Sequence, residues 1–210
     1  MPSLPPALAN GPQYAWELAT LYPQQGAWDE VEYLHLTDGS NRRIELTGGV
    51  LEFLPLPTLK HQTLAGFFYH ALLAFVTKHD LGVVPFPPIR VRSPAGQIRE
   101  PDALFLSKAN SRWLHNRVFE GADLVAEVVS GDAKDRKRDL VTKHAEYAQA
   151  GISEYWVIDP EQRVVLVYKL TGAEYALHGR FESGEADSVL LTGFALDVEA
   201  LFAAADSVPE

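Results

Sequence analysis

The chain has 210 residues, 47% of them apolar, and a formal net charge of −10, a length that supports one sizeable core and is short for two. It contains no cysteine, which excludes disulfides, thiolate zinc sites and cysteine nucleophiles and suits a reducing cytoplasm, the expected location; apolar runs such as 71–76 fall far short of the roughly 20 residues of a membrane span, so no membrane partner is expected. The charge argues at first sight against binding phosphates, but residues 173–210 hold eight acidic side chains against Arg180 alone, −7 of the −10, which leaves −3 for the first 172 residues.

Four prolines in the first twelve residues mark residues 1–27 as an extended tail before a single domain over 28–210. An acidic and aromatic helix is expected over 28–36, then a hairpin of 43–46 and 50–54 split by Thr47-Gly48-Gly49. Leu64, Phe67, Phe68, Ala71, Leu72 and Phe75 stand at helical spacing and predict an amphipathic helix over 59–79, stopped by Gly82. Three prolines limit 83–91 to an edge or interrupted strand. Better strands follow at 98–106 and 124–129, the latter almost continuously apolar and so buried on both faces. A helix over about 137–150 puts Leu140, Val141, His144, Tyr147 and Ala148 inward, and Gly151 ends it. Strands at 155–158 and 164–170 flank the turn 159–162. Short strands and a closing helix near 198–205 complete the chain, with Leu190, Leu191 and Phe194 either forming an interface or finishing the core. Strand, helix and strand over 124–158 form a crossover, so the fold class is α/β (α+β) with a partly parallel sheet.

Hydrolysing a phosphodiester needs hard cations on oxygen ligands. Glu127 sits within Leu124-Val125-Ala126-Glu127-Val128-Val129, and Asp102 leads into Ala103-Leu104-Phe105-Leu106. A carboxylate among such neighbours is costly unless it is paired or holds a metal. Either acid alone reads as a turn cap or an arginine partner; two strand-borne acids 25 residues apart with a lysine on the next helix point to Mg2+ or Mn2+ chemistry. Lys143 lies four residues after Asp139 and four before Tyr147, on one helical face. Its plain role is a surface ion pair with Asp139, and its functional role is an ammonium that stabilises developing negative charge. The basic segment 134–139 follows the Glu127 strand; alone it reads as a solvated helix start. His61 and His144 are candidate ligands or bases, but His61 reads better as a helix-start residue near the site and His144 as a core or hydrogen-bonding histidine.

Glu100-Pro101-Asp102, Ala122-Asp123-Leu124-Val125-Ala126-Glu127-Val128-Val129-Ser130, then Asp139, Lys143 and Tyr147, and Gly151-Ile152-Ser153-Glu154-Tyr155-Trp156-Val157-Ile158-Asp159-Pro160 together resemble the Uma-two family of endonuclease-like proteins in the PD-(D/E)XK nuclease superfamily. Arg43-Ile44-Glu45-Leu46-Thr47-Gly48-Gly49 and residues 57–61 match its N-terminal part, so the resemblance covers about 28–170. It implies a restriction-endonuclease-like fold, a mixed β-sheet core flanked by helices. Asp102 and Glu127 would be metal ligands, the Val128 carbonyl a further one, and Glu45 a third acidic contributor to catalysis. The superfamily lysine normally stands two residues after the second acid, where this chain has Val129; the resemblance makes Lys143 its replacement. The implied activity is metal-dependent endonucleolytic cleavage, with DNA the substrate by analogy and a homodimer a possible assembly. Two rivals are a nuclease-fold interaction module without turnover and a hydrolase of another phosphate ester.

Overall fold

The computed structural model describes residues 22–39, 42–131 and 133–209, without the side chains of 133 and 134. Most of the expected tail therefore lies outside the described residues. Its last residues are tied to the hairpin: Gly26 and Trp28 donate their N–H groups to the Gly49 carbonyl, and the Leu51 N–H donates to the Gln25 side chain.

Helix α1 (Glu30–Thr37) starts at a reciprocal capping box, in which Asp29 accepts from the Glu32 N–H and Glu32 accepts from the Asp29 N–H. Strands β1 (Ile44–Thr47) and β2 (Val50–Phe53) form the hairpin, with Gly48 and Gly49 at φ 54° and 72°. Positive φ at both central residues is what such a two-residue turn demands and what glycine adopts without strain. Helix α2 (Leu59–Lys78) follows, its N-terminus capped by Thr58.

Gly82 does not stop α2. The helix ends at His79, Asp80 takes the left-handed turn at φ 55°, and Gly82 opens the edge strand β3 (Gly82–Val83). A Cβ at Gly82 would lie 2.1 Å from the Leu106 carbonyl oxygen, so the glycine permits backbone approach rather than helix termination. Gly82→Ala should therefore destabilise the fold by about 1–3 kcal/mol in urea melts. Gly66→Ala, in the open on α2, should be neutral or stabilising by up to about 1 kcal/mol. Equal melts for the two variants would contradict this account of Gly82.

Strands β4 (Val91–Arg92), β5 (Ile98–Arg99) and β6 (Ala103–Ser107) come next. The single strand expected over 98–106 is two strands in two sheets, broken at residues 100–102. After a 3-10 segment (Lys108–Trp113), β7 (Leu124–Val128) runs with all five residues buried. The following helix has three parts: α3 (Ala133–Lys137), a π-helical stretch (Arg138–Thr142) and α4 (Lys143–Gln149). Val141, expected inward, is exposed, while Asp139 and Lys143 are buried. The wider π turn changes which side chains face the sheet, and ion pairs rather than apolar spacing decide the inner face. Gly151, at φ 75°, does terminate α4.

Strands β8 (Glu154–Asp159), β9 (Val164–Thr171), β10 (Glu174–Phe181), β11 (Glu185–Asp187) and β12 (Ala195–Asp197) lead to α5 (Val198–Asp206). The main sheet has the order β10-β9-β8-β7-β6-β3, and β7 and β8 pair in parallel as the crossover requires. The second sheet is β2-β1-β5-β4.

Alternation on the central strands sorts the core. Ala126, Val128, Trp156 and Ile158 face α2 and α5, whereas Val125, Val129, Tyr155 and Val157 face Tyr147 of α4. Leu191 and Phe194 complete the first cluster, with Phe194 against Phe68, Phe75 and Trp156. The small sheet packs on α1 through Ile44, Leu46, Ile98 and Tyr33. Among the described residues, no helix is long and apolar enough to cross a membrane.

Candidate active site

Glu127 shares its strand face with Val125 and Val129, so it points toward α4 at the level where Lys143 and Tyr147 project inward. The Lys143 Nζ lies 2.8 Å from Glu127 Oε1, and the Tyr147 hydroxyl donates to the same oxygen at 2.6 Å. The ammonium also lies 3.5 Å from Glu45 Oε1 and 3.6 Å from Asp139 Oδ1, and its side chain is only 2% exposed. It is not the surface partner of one aspartate but the shared counter-ion of three buried carboxylates.

Asp102 occupies the break between β5 and β6. Its N–H donates to the Ala126 carbonyl, and its Oδ2 accepts from the Val128 N–H at 3.0 Å, which ties it to the strand that carries Glu127. His61, on the first turn of α2, brings Nε2 to 3.2 Å from the same Oδ2, and Arg43 Nη2 stands 3.7 Å from Oδ1. Asp102, Glu127, Val128, Asp139, Lys143, His61 and Arg43 line one cleft of about 420 Å³, whose outer wall includes the exposed Leu54 to Pro57 loop.

Glu45 lies behind this floor. It is fully buried and does not line the cleft; Arg99 Nη1 bonds its Oε2 at 2.7 Å, and the Glu100 N–H bonds its Oε1 at 2.9 Å. Arg99 in turn binds Glu146 at 2.7 Å, and Glu146 accepts from the Thr47 hydroxyl. Glu45 thus joins the small sheet to α4 and touches the site through Lys143.

The site is electrostatically unbalanced. Burial pushes the Glu127 carboxyl up to about 7; Lys143 opposes this, and Asp102, Asp139 and Glu45 reinforce it. Burial also raises Asp139, against the pull of Lys143 and Arg138. For Asp102, burial is outweighed by the His61 hydrogen bond and charge, with help from Lys143 and the Val128 N–H, so its carboxyl stays below its ordinary value. Burial acts against the Lys143 ammonium, but Glu127, Glu45 and Asp139 hold it charged.

Arg99 and Glu146 are the contributors that sequence patterns leave unassigned; His61, expected near the site, meets Asp102, and Tyr147, expected on the Lys143 face, bonds Glu127. His144 faces away from the cleft, edge-on to Tyr155, Tyr168 and Tyr175, and burial lowers its pKa. Among the described residues, no group of three or more histidine, aspartate or glutamate side chains stands in metal-holding geometry. A donor pair of carboxylates supplemented by a carbonyl and water does not require one.

A family model described as "Uma2: Putative restriction endonuclease" matches residues 30–199. A solved structure described as a "putative nuclease belonging to DUF820 from Anabaena variabilis ATCC 29413" superposes with a TM-score of 0.69 at 17% identity, covering 87% of this chain and 99% of that one. The two therefore share a fold. No curated protein matches. Since the family match runs from the start of α1 into α5 and takes in the whole cleft, the chain belongs to the Uma2 family.

Proposed function

We propose that the protein is a divalent-metal-dependent endonuclease acting on DNA, with Asp102, Glu127 and the Val128 carbonyl holding Mg2+ or Mn2+. The observation that carries this reading is the convergence of Glu127 and Asp102 on one cleft with the Lys143 ammonium 2.8 Å from the former. The donor chemistry fits a hard cation. Both acids are buried, and Glu127 is raised by that burial and further by neighbouring negative charge, which a cation would offset.

A bound cation supplies a water of lowered pKa and neutralises a phosphate oxygen. The chain supplies the rest. Lys143, fixed by three carboxylates, presents positive charge beside the position of the developing anion without reorganising. Glu45 and Asp139 position that ammonium, and His61 and the Val128 N–H orient the Asp102 carboxylate.

Plasmid nicking with added Mn2+ tests the assignment. Glu127→Gln and Asp102→Asn, which preserve shape, should each lower the rate about 10²-fold or more. Calorimetry should show Mn2+ binding to the wild type and its loss in both variants. Equal nicking by all three proteins would identify a contaminant; metal binding without nicking would leave an interaction module on a nuclease fold.

A further inference from the structure

A second cavity of about 290 Å³ opens beside the cleft, and four arginines line it: Arg42, Arg43, Arg90 and Arg117. Three carboxylates, Glu100, Asp38 and Asp102, pair with Arg43, Arg90 and Arg117 around it. Glu100 lies in its wall 3.3 Å from Arg90, and Asp38 pairs with Arg90 and Arg117. Arg90 is braced across the Tyr33 ring at 5.2 Å. Arg43 belongs to both cavities: its Nη2 donates to the Glu100 carbonyl at 3.1 Å and lies 3.7 Å from Asp102, while its Nε is buried without a hydrogen-bond partner. Glu100 and Asp102 are two residues apart in the break between β5 and β6, a span of about 7 Å of extended chain at most. An arginine-lined hollow with planar, bidentate donors fits a phosphate, and its distance from the cleft floor fits a strand that crosses both.

We propose that this arginine pocket binds a backbone phosphate of the nucleic acid, flanking the phosphodiester that lies over Asp102 and Glu127. The proposal rests on the nuclease reading and adds a contact that sets the strand's path. It also gives an acidic protein a local contact for a polyanion, four arginines grouped in one hollow beside the cleft.

The probe is a short fluorescein-labelled DNA duplex titrated by anisotropy in EDTA, so that cleavage does not intervene. The Arg42→Gln/Arg117→Gln double variant alters two exposed arginines and spares Arg43 and Arg90. It should bind at least about 5-fold more weakly, with the slope of log K against log salt reduced by about 1. Lys78→Gln, about 25 Å from His61 along α2, should bind as the wild type does. Unchanged affinity and slope in the double variant, or no binding by the wild type, would overturn the proposal. Calorimetric binding of inorganic phosphate that is lost in the double variant, with duplex affinity equal in the two proteins, would overturn it too, by assigning the pocket to a free anion. Weakened binding by the double variant, with no Mn2+-dependent nicking by the wild type, would retain the phosphate pocket and remove the nuclease reading. Nicking by both proteins with equal affinity would do the reverse.

Discussion

Lys143→Met should destabilise the metal-free protein by about 3–5 kcal/mol, because it leaves Glu127, Glu45 and Asp139 buried around a vacated positive charge. For a chain of this size, that corresponds to a fall of roughly 6–20 °C in Tm. Methionine fills the space of the aliphatic stem, so lost packing contributes little and the cost is electrostatic. A double-mutant cycle isolates that cost. Glu127→Gln removes the carboxylate nearest the ammonium, so Lys143→Met should cost less in that background than in the wild type. Urea melts in EDTA give the four stabilities. A Lys143→Met variant that melts with the wild type would show the ammonium to be dispensable to the fold.

Glu154→Ala should be as damaging, and its site is elsewhere. Glu154 is buried at the start of β8, where its Oε1 accepts from Trp156 Nε1 at 2.7 Å and the Ser188 hydroxyl at 2.6 Å, and its Oε2 accepts from the Val189 and Leu190 N–H groups at 2.7 and 2.8 Å. Truncation strands four donors, the buried Trp156 Nε1 and Ser188 hydroxyl and the part-buried Val189 and Leu190 N–H groups. A loss of about 3–5 kcal/mol follows, against about 1 kcal/mol for an ordinary surface change. Hydrogen exchange localises the effect: the Val189 and Leu190 amides should lose protection before β7 does. Wild-type protection at both amides in Glu154→Ala would contradict the assignment.

Asp102 and Glu127 are legible in the sequence for one physical reason, a carboxylate set against apolar strand residues. Glu127 stands in a continuous apolar run, and a charged residue in such a run has little explanation other than a partner or a cation. Lys143 was legible through its spacing from Asp139 and Tyr147 together with the family resemblance. The partners of Glu45 were not legible. Arg99 meets Glu45 across 54 residues and Glu146 across 47, and local periodicity carries no signal about pairings of that range. His61 was placed near the site but not on Asp102, for the same reason. Among the elements, the hairpin, the long helix and the parallel crossover followed from glycine placement and apolar spacing. The break at residues 100–102 did not, because Ile98, Ala103 and Leu104 continue an apolar pattern across it and only the separation into two sheets reveals the interruption.

The division of the cleft between sheet and helix has a dynamic consequence. Asp102, in the break before β6, is tied to the central strand β7 that carries Glu127 by its N–H on the Ala126 carbonyl and by the Val128 N–H on its carboxylate, and central strands are the last part of a fold to open. Lys143 begins the last segment of a helix interrupted by a π turn and is held in place chiefly by its charge partners. The acids thus depend on the sheet, whereas the ammonium depends on the helix and on its three charge partners. A change in the packing of the helix would therefore move the lysine relative to a pair of carboxylates that the sheet holds in place.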